Sequence, residues 1–275
     1  MISDRKNVKI GFVGVGNMAS AIIAGITSSE CFAWNNIYLY DIFSQKTDEF
    51  AKEGANKCSS ASEVYASCDC VVLAVKPQNY PEVLGELSNI SASKDVLVIT
   101  IAAGITTKTV SAALHNAHVV RALPNTPIFI GRAVTALCKN DVTTDEEFEL
   151  VKSIFEASGE TTVIDENEMN RIISVISSSP AYVFKFIKAI CDGADAQGLD
   201  GKALLRSVCA VVSGSAEMLA QSEKSADELV SMVCSKGGTT ERAVAELDAF
   251  DFEAGIVSAM KKCTARADEL SNIKK

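Results

Sequence analysis

A chain of 275 residues is long enough for one large or two modest domains, each able to bury a core of its own. With 48% hydrophobic and 22% charged residues it is neither disordered nor fibrous, and 26 Lys plus Arg against 35 Asp plus Glu leave a net charge of -9. That is the wrong sign for tracking nucleic acid or an anionic membrane, and nine cysteines without a C-x-x-C pair exclude a disulfide framework and point to free thiols in the cytoplasm.

The opening MISDRKNVKI carries charge where a secretory leader needs an apolar core, so the fold is expected to start at once. Residues 8–13 form an apolar run, predicted as a strand, that closes on Gly14-Val15-Gly16. From Asn17 the spacing of Met18, Ile22, Ile23 and Ile26 turns helical. Further strands are predicted at 37–40, ending at Asp41, at 71–75, ending at Lys76-Pro77, at 96–99 and at 119–120, with helical patterns between them. This alternation predicts an α/β fold, a doubly wound, parallel Rossmann sheet, and the nearly continuous apolar strands fit burial on both faces. The most apolar stretch, 96–105, is about half the ~20 residues a membrane span requires. After Asp165 the pattern becomes all helical, with helices predicted at about 180–196, 201–222, 225–234, 239–248 and 252–270. Two domains follow, 1–165 and 166–275. Leu204, Leu205, Val208, Val211, Val212, Met218 and Leu219 make too wide an apolar stripe for a helix with one face in water, which suggests burial against a second subunit.

Gly14-x-Gly16-x-x-Ala19 closes a predicted strand and opens a predicted helix, the setting in which this spacing signifies a dinucleotide site. Gly14 permits the turn, Gly16 lets a pyrophosphate approach the backbone, and Ala19 allows close helix packing, while the helix start supplies amide donors. Asp41 stands where a carboxylate reaches the ribose hydroxyls and would repel a 2′-phosphate, so NADH is expected to be used well. Lys46 and Ser44 remain available to a phosphate. Lys76-Pro77, Ala102-Ala103-Gly104 and Pro124-Asn125-Thr126-Pro127 each follow a predicted strand, at the end where this architecture holds its ligand. Ser235-Lys236-Gly237-Gly238-Thr239-Thr240 interrupts two helices, either as a plain turn or as an anion cradle of backbone amides. The only histidines, His115 and His118, have no third ligand nearby, so neither a metal site nor a Ser-His-Asp or Cys-His hydrolase is expected.

Taken together, GFVGVGNMASAI at the start, AVKPQ at 74–78, AAG at 102–104, PNTP at 124–127, SPAY at 179–182 and SKGGTT at 235–240 resemble the pyrroline-5-carboxylate reductases, nearly end to end. The resemblance implies NAD(P)H-dependent reduction of 1-pyrroline-5-carboxylate to L-proline, the last step of proline biosynthesis. It also implies a helical C-terminal domain that forms a homodimer, and a ring of dimers. By position, Gly14, Gly16, Asn17 and Met18 meet the pyrophosphate, Val75, Lys76 and Pro77 the ribose region, and Ala102 and Asn125 flank the nicotinamide. Ser235, Gly237, Gly238, Thr239 and Thr240 form the substrate loop and Glu223 matches a glutamate preceding it. Thr240 is the catalytic candidate, its hydroxyl holding the substrate nitrogen while the amides of Gly238, Thr239 and Thr240 hold the carboxylate. One departure is Ser177, where the family carries glycine. Two alternatives share the fold: a 3-hydroxyacid dehydrogenase, whose catalytic lysine setting Lys185 and Lys188 do not match, and a non-catalytic dinucleotide sensor.

Overall fold

The computed structural model describes residues 7–271. The chain packs into two units: one runs up to Ser178 and takes in the stretch from Cys263 onward, and the other is Ser179–Lys262. In the first unit the order is β1 (Ile10–Val13), α1 (Asn17–Ser28), β2 (Ile37–Tyr40), α2 (Asp48–Lys52), β3 (Asn56–Lys57), α3 (Ala61–Ser67), β4 (Cys70–Leu73), α4 (Tyr80–Ser91), β5 (Leu97–Thr100), α5 (Thr107–Ala113), β6 (Val119–Leu123), β7 (Ala133–Lys139), α6 (Asp145–Glu156), β8 (Gly159–Val163) and α7 (Met169–Ile172). The eight strands form one sheet in the order β3-β2-β1-β4-β5-β6-β7-β8.

The chain winds outward from β1 in one direction and from β4 in the other, so the strand order reverses between these two neighbours. Their residues are fully buried because helices cover both faces of the sheet. On one face Phe12 packs with Ile22, Ile23 and Ile26 of α1 and with Val151, Ile154 and Phe155 of α6. On the other, Val71 and Val98 pack with Val64 and Tyr65 of α3, Leu84 and Leu87 of α4 and Val110 of α5. Each fully buried Val, Leu or Ile contributes about 1.5–3 kcal/mol of transfer free energy, so the alternating pattern is enough to select this arrangement.

The parallel run is broken once. β7 pairs antiparallel with β6, since only a short turn, closed by Gly131 at φ +67°, connects them and a crossover helix has no room. A third cluster joins Leu123, Ala136, Cys138, Met169 and Ile173 to Ala267, which draws the end of the chain back into the first unit. The composition changes near 165, but packing changes at 178 to 179, because Met169 and Ile173 belong to that cluster.

The second unit is helical: α8 (Ser179–Ala196), preceded by a π-helical turn over Ile173–Ser177, α9 (Gly201–Gln221), α10 (Ala226–Val233), α11 (Thr239–Ala249) and α12 (Phe252–Ser271), whose end lies in the first unit. Between 179 and 262 only Gly201 is buried, while Phe184, Val211, Val233 and Phe250 are 61%, 66%, 62% and 78% exposed. This unit has no core of its own. By length and composition Glu166–Ala196 and Gly201–Gln221 would each suffice to cross a membrane, so the stretch 96–105 is not the limiting case. The spans are interspersed with small and polar residues, which is why a search for an unbroken apolar run passes over them.

Candidate functional site

The carboxyl ends of β1, β2, β4, β5 and β6 carry the five loops singled out above, on either side of the reversal between β1 and β4, where open sheets of this kind hold their ligands. Gly14 follows β1 at φ +91°, and a Cβ there would come within 3.0 Å of the Ala74 carbonyl, so both the turn and the neighbouring loop require glycine. Gly16 is different. A Cβ there would meet nothing within 4 Å, so protein packing does not explain the glycine, and the ground over it is open. It caps α1 without a side-chain hydrogen bond, which leaves the first amides of that helix, at Asn17 and Met18, at the positive end of its dipole without a side-chain capping oxygen. An open approach over uncapped amides fits the pyrophosphate of a dinucleotide.

Asp41 does something the sequence does not reveal. Its Oδ2 accepts from the Val15 N–H at 2.8 Å and from the Lys46 ammonium at 3.2 Å, and its Oδ1 accepts from the Phe43 N–H at 2.9 Å. With its side chain 7% exposed, the carboxylate staples the glycine turn to the loop after β2. Lys46 is 45% exposed at its side chain, and its ammonium also lies 5.1 Å from the Phe43 ring centroid, so a partly solvated cation is held at the lip of the crevice.

After β4, Val75 and Pro77 are half-buried and Lys76 is exposed. Behind this loop Tyr80, fully buried, donates its hydroxyl to the Leu73 carbonyl at 2.8 Å and shares a 2.7 Å hydrogen bond with Thr100 Oγ1. Burial holds the phenol well above its ordinary pKa, so it stays a neutral strut. Ala102 is buried at the end of β5 and Asn125 at the end of β6. The Asn125 amide is spent within the protein: Nδ2 donates to the Ile176 carbonyl at 3.2 Å and Oδ1 accepts from the Val134 N–H at 3.0 Å. Ser177 ends the π-helical turn next to Ile176, and its buried Oγ has no hydrogen-bond partner among the described residues.

In the second unit Ser235 to Thr240 forms a tight loop into α11. Gly237 takes φ +73°, and a Cβ on Gly238 would stand 2.8 Å from the Ser235 carbonyl oxygen, so both glycines are sterically needed. The Gly237 N–H donates to Glu241 Oε2 at 2.7 Å and the Gly238 N–H to the Ser235 carbonyl at 2.9 Å. The amide of Gly238 is thus engaged inside the loop. Thr239 and Thr240 open α11 above a glycine cap that supplies no side-chain acceptor, and Thr240 is half-buried. Glu223 lies exposed in the bend between α9 and α10.

Sequence reasoning passed over Arg121, the largest fully buried side chain among the described residues, which sits in β6 at 1% exposure. Its Nη1 lies 3.6 Å from Glu166 and its Nη2 donates to Asn170 Oδ1 at 2.9 Å. Burial lowers the Arg121 pKa and the Glu166 carboxylate opposes that shift. The available signal was a lone arginine inside the apolar run VVRAL.

Two family models match the chain: pyrroline-5-carboxylate reductase dimerisation over residues 166–270, and NADP oxidoreductase, coenzyme F420-dependent, over residues 9–104. The chain is 38% identical over 268 residues to the pyrroline-5-carboxylate reductase of Escherichia coli, covering 96% of this chain and 98% of that one. It is 32% identical to that of Methanosarcina acetivorans, covering 97% of each. Among solved structures, the Plasmodium falciparum pyrroline carboxylate reductase with NADP bound superposes with a TM-score of 0.90 at 26% identity, covering 98% of this chain and 100% of that one. End-to-end kinship with these enzymes joins the glycine turn of the first unit and the SKGGTT loop of the second in one lineage: the chain belongs to the pyrroline-5-carboxylate reductase family.

Proposed function

We propose that this protein reduces the C=N bond of 1-pyrroline-5-carboxylate to give L-proline, with a reduced pyridine nucleotide as hydride donor. The observation that carries the proposal is the open, uncapped start of α1 at the strand-order reversal, in a chain akin to these reductases over 96% of its length. Gly14, Gly16, Asn17 and Met18 hold the pyrophosphate, Val75, Lys76 and Pro77 border the ribose, and the loops at Ala102 and Asn125 border the nicotinamide. Asn125 acts through the backbone it orders, since both ends of its amide are engaged.

When bound, the nucleotide would supply the hydride, and the chain's part is to hold the imine against it and exclude water. What remains for the protein is to hold an anion and a nitrogen. The Thr239 and Thr240 amides receive the substrate carboxylate at the start of α11, the Thr240 hydroxyl bonds the nitrogen, and Ser235, Gly237 and Gly238 shape the loop that presents them, with Glu223 alongside. A threonine hydroxyl is too weak an acid to protonate the product amine unaided, so it orients the nitrogen and relays a proton from water.

NADH is used well, because Asp41 leaves an acceptor position on Oδ1 for a ribose hydroxyl. Lys46 offsets the carboxylate's charge and offers a cation to a 2′-phosphate, so NADPH is accepted too. The helices of the second unit bury their apolar faces in a homodimer, and dimers assemble further into a ring, in the cytoplasm. Following the loss of NADH or NADPH absorbance with 1-pyrroline-5-carboxylate tests the reading. Turnover is expected with both cofactors, with kcat/KM for NADPH no more than tenfold above that for NADH. Oxidation of 3-hydroxyacids, or nucleotide binding without any turnover, would overturn it.

A further inference from the structure

The segment 102–107 joins β5 to α5 and, on the function proposed above, borders the nicotinamide through Ala102. Groups that the proposal does not use pin it at two points. At its far end the Thr107 N–H donates to Glu166 Oε1 at 2.8 Å, and the Thr107 hydroxyl donates to Oε2 of the same carboxylate. Midway, Gly104 sits at φ +79° against the last turn of α12, where a Cβ would stand 3.0 Å from Leu270 Cβ and 3.1 Å from the Ser271 nitrogen. These supports come from different parts of the chain. Arg121 connects them: it faces Glu166 with Nη1 and donates to Asn170 with Nη2, and Asn170 Nδ2 donates onward to Asp268 Oδ1 at 3.0 Å and to Ser271 Oγ at 2.9 Å. A guanidinium at 1% exposure persists only if its partners stay in place, so the circuit is stiff.

We propose that Asn170 and Glu166 are positioning residues for the segment 102–107: with Arg121 between them they lock its two supports together, so that the nicotinamide end of the cofactor meets a fixed wall. The adenosine end, which rests on other loops, is indifferent to this circuit. Because α12 starts in the second unit and ends at Ser271, the lock also ties the segment to a helix of the dimerising region.

The test measures the affinity of the dimeric protein for NADH and for ADP-ribose, a probe that lacks the nicotinamide ring, by calorimetry. Asn170→Ala removes the link, and Asn170→Asp accepts from Arg121 but cannot donate to Asp268 or Ser271. Both variants are expected to bind NADH about three- to tenfold more weakly, the loss of one ordinary hydrogen bond's worth of order, and ADP-ribose as the parent does. Glu166→Gln, which keeps one acceptor oxygen for the Thr107 N–H, turns the other contact into an NH2 donating to the Thr107 hydroxyl and removes the negative charge facing Arg121, is expected to fall between parent and Asn170→Ala. Equal weakening of both ligands, or of neither, in variants that still sediment as dimers overturns the positioning role. If the parent binds NADH and reduces pyrroline-5-carboxylate normally while the variants match it, the positioning role alone falls; a parent that binds neither ligand removes the functional proposal and this one with it.

Discussion

At the scale of single residues, hydrogen-bond assignment separates the donors a substrate can use from those the fold already uses. In the loop into α11, the Gly237 and Gly238 amides donate inward, which leaves the Thr239 and Thr240 amides and the Thr240 hydroxyl among the donors with no partner within the described residues. Losing one hydrogen bond to a charged group costs about 1.5–3 kcal/mol, so Thr240→Ala is expected to lower kcat/KM roughly ten- to 150-fold while Thr240→Ser keeps much of the activity. Steady-state kinetics well below the melting temperatures decide it. If the alanine variant turns over like the parent and differs only in melting temperature, Thr240 is a helix-cap residue and no more. The same accounting adds a second task to Asp41, whose place in the sequence marks it as a ribose ligand: three internal donors also hold its carboxylate. Nothing in the run Asp41 to Lys46 reveals that task, because one of the donors, the Val15 N–H, comes from a different strand-end loop.

At the scale of elements, the five long helices after 178 were legible to within about two residues, since each combines a 3.6-residue period with a polar or glycine break at either end. The strands β1, β2, β4, β5 and β6 were legible for a similar reason, each being a buried apolar run that stops at a loop residue. β3, β7 and β8 were not predicted, β3 being only the two residues Asn56–Lys57. β8 reads GETTV and carries little apolar signal, and the direction of β7 depends on a turn length rather than on its own composition. Arg121 went unrecognised because its partners, Glu166 and Asn170, lie outside the strand and 45 or more positions away, so no local pattern joins them. The packing of α3 against the sheet, and of β7 within it, also has a chemical signature. Burial pushes the Cys68 and Cys138 thiols up to about 12 from 9.0 and the Tyr65 phenol up to about 12 from 10.0. In this range the unfolded chain loses protons that the folded chain keeps, so stability is full below pH about 9 and declines as pH rises toward about 12. Denaturation midpoints across that range are expected to fall, and Cys68→Ala, less stable at neutral pH, is expected to fall less steeply. A parallel decline in parent and variant would show that Cys68 contributes nothing to it.

At the scale of the whole molecule, the second unit buries one residue, Gly201, between 179 and 262, and leaves Phe184, Val211, Val233 and Phe250 largely exposed. Isolated helices of this kind are marginal, and interfaces that hold obligate dimers commonly bury over ~2,000 Å². Sedimentation is therefore expected to find no folded monomer of 29.2 kDa at micromolar concentration, and the melting temperature is expected to rise with protein concentration. A folded, active monomer would refute it. The path of the chain adds a consequence for biosynthesis. Ala267 packs with Leu123, Cys138 and Met169, yet all of Ser179–Lys262 is translated between Met169 and Ala267. The nucleotide-binding unit of a nascent polypeptide thus leaves the ribosome with an open seam, and seals it only after the helices that seek a partner are already outside. A chain halted within α12 is therefore expected to leave Met169 and Ile173 without Ala267 over them, and so to be cut there by protease sooner than the finished protein.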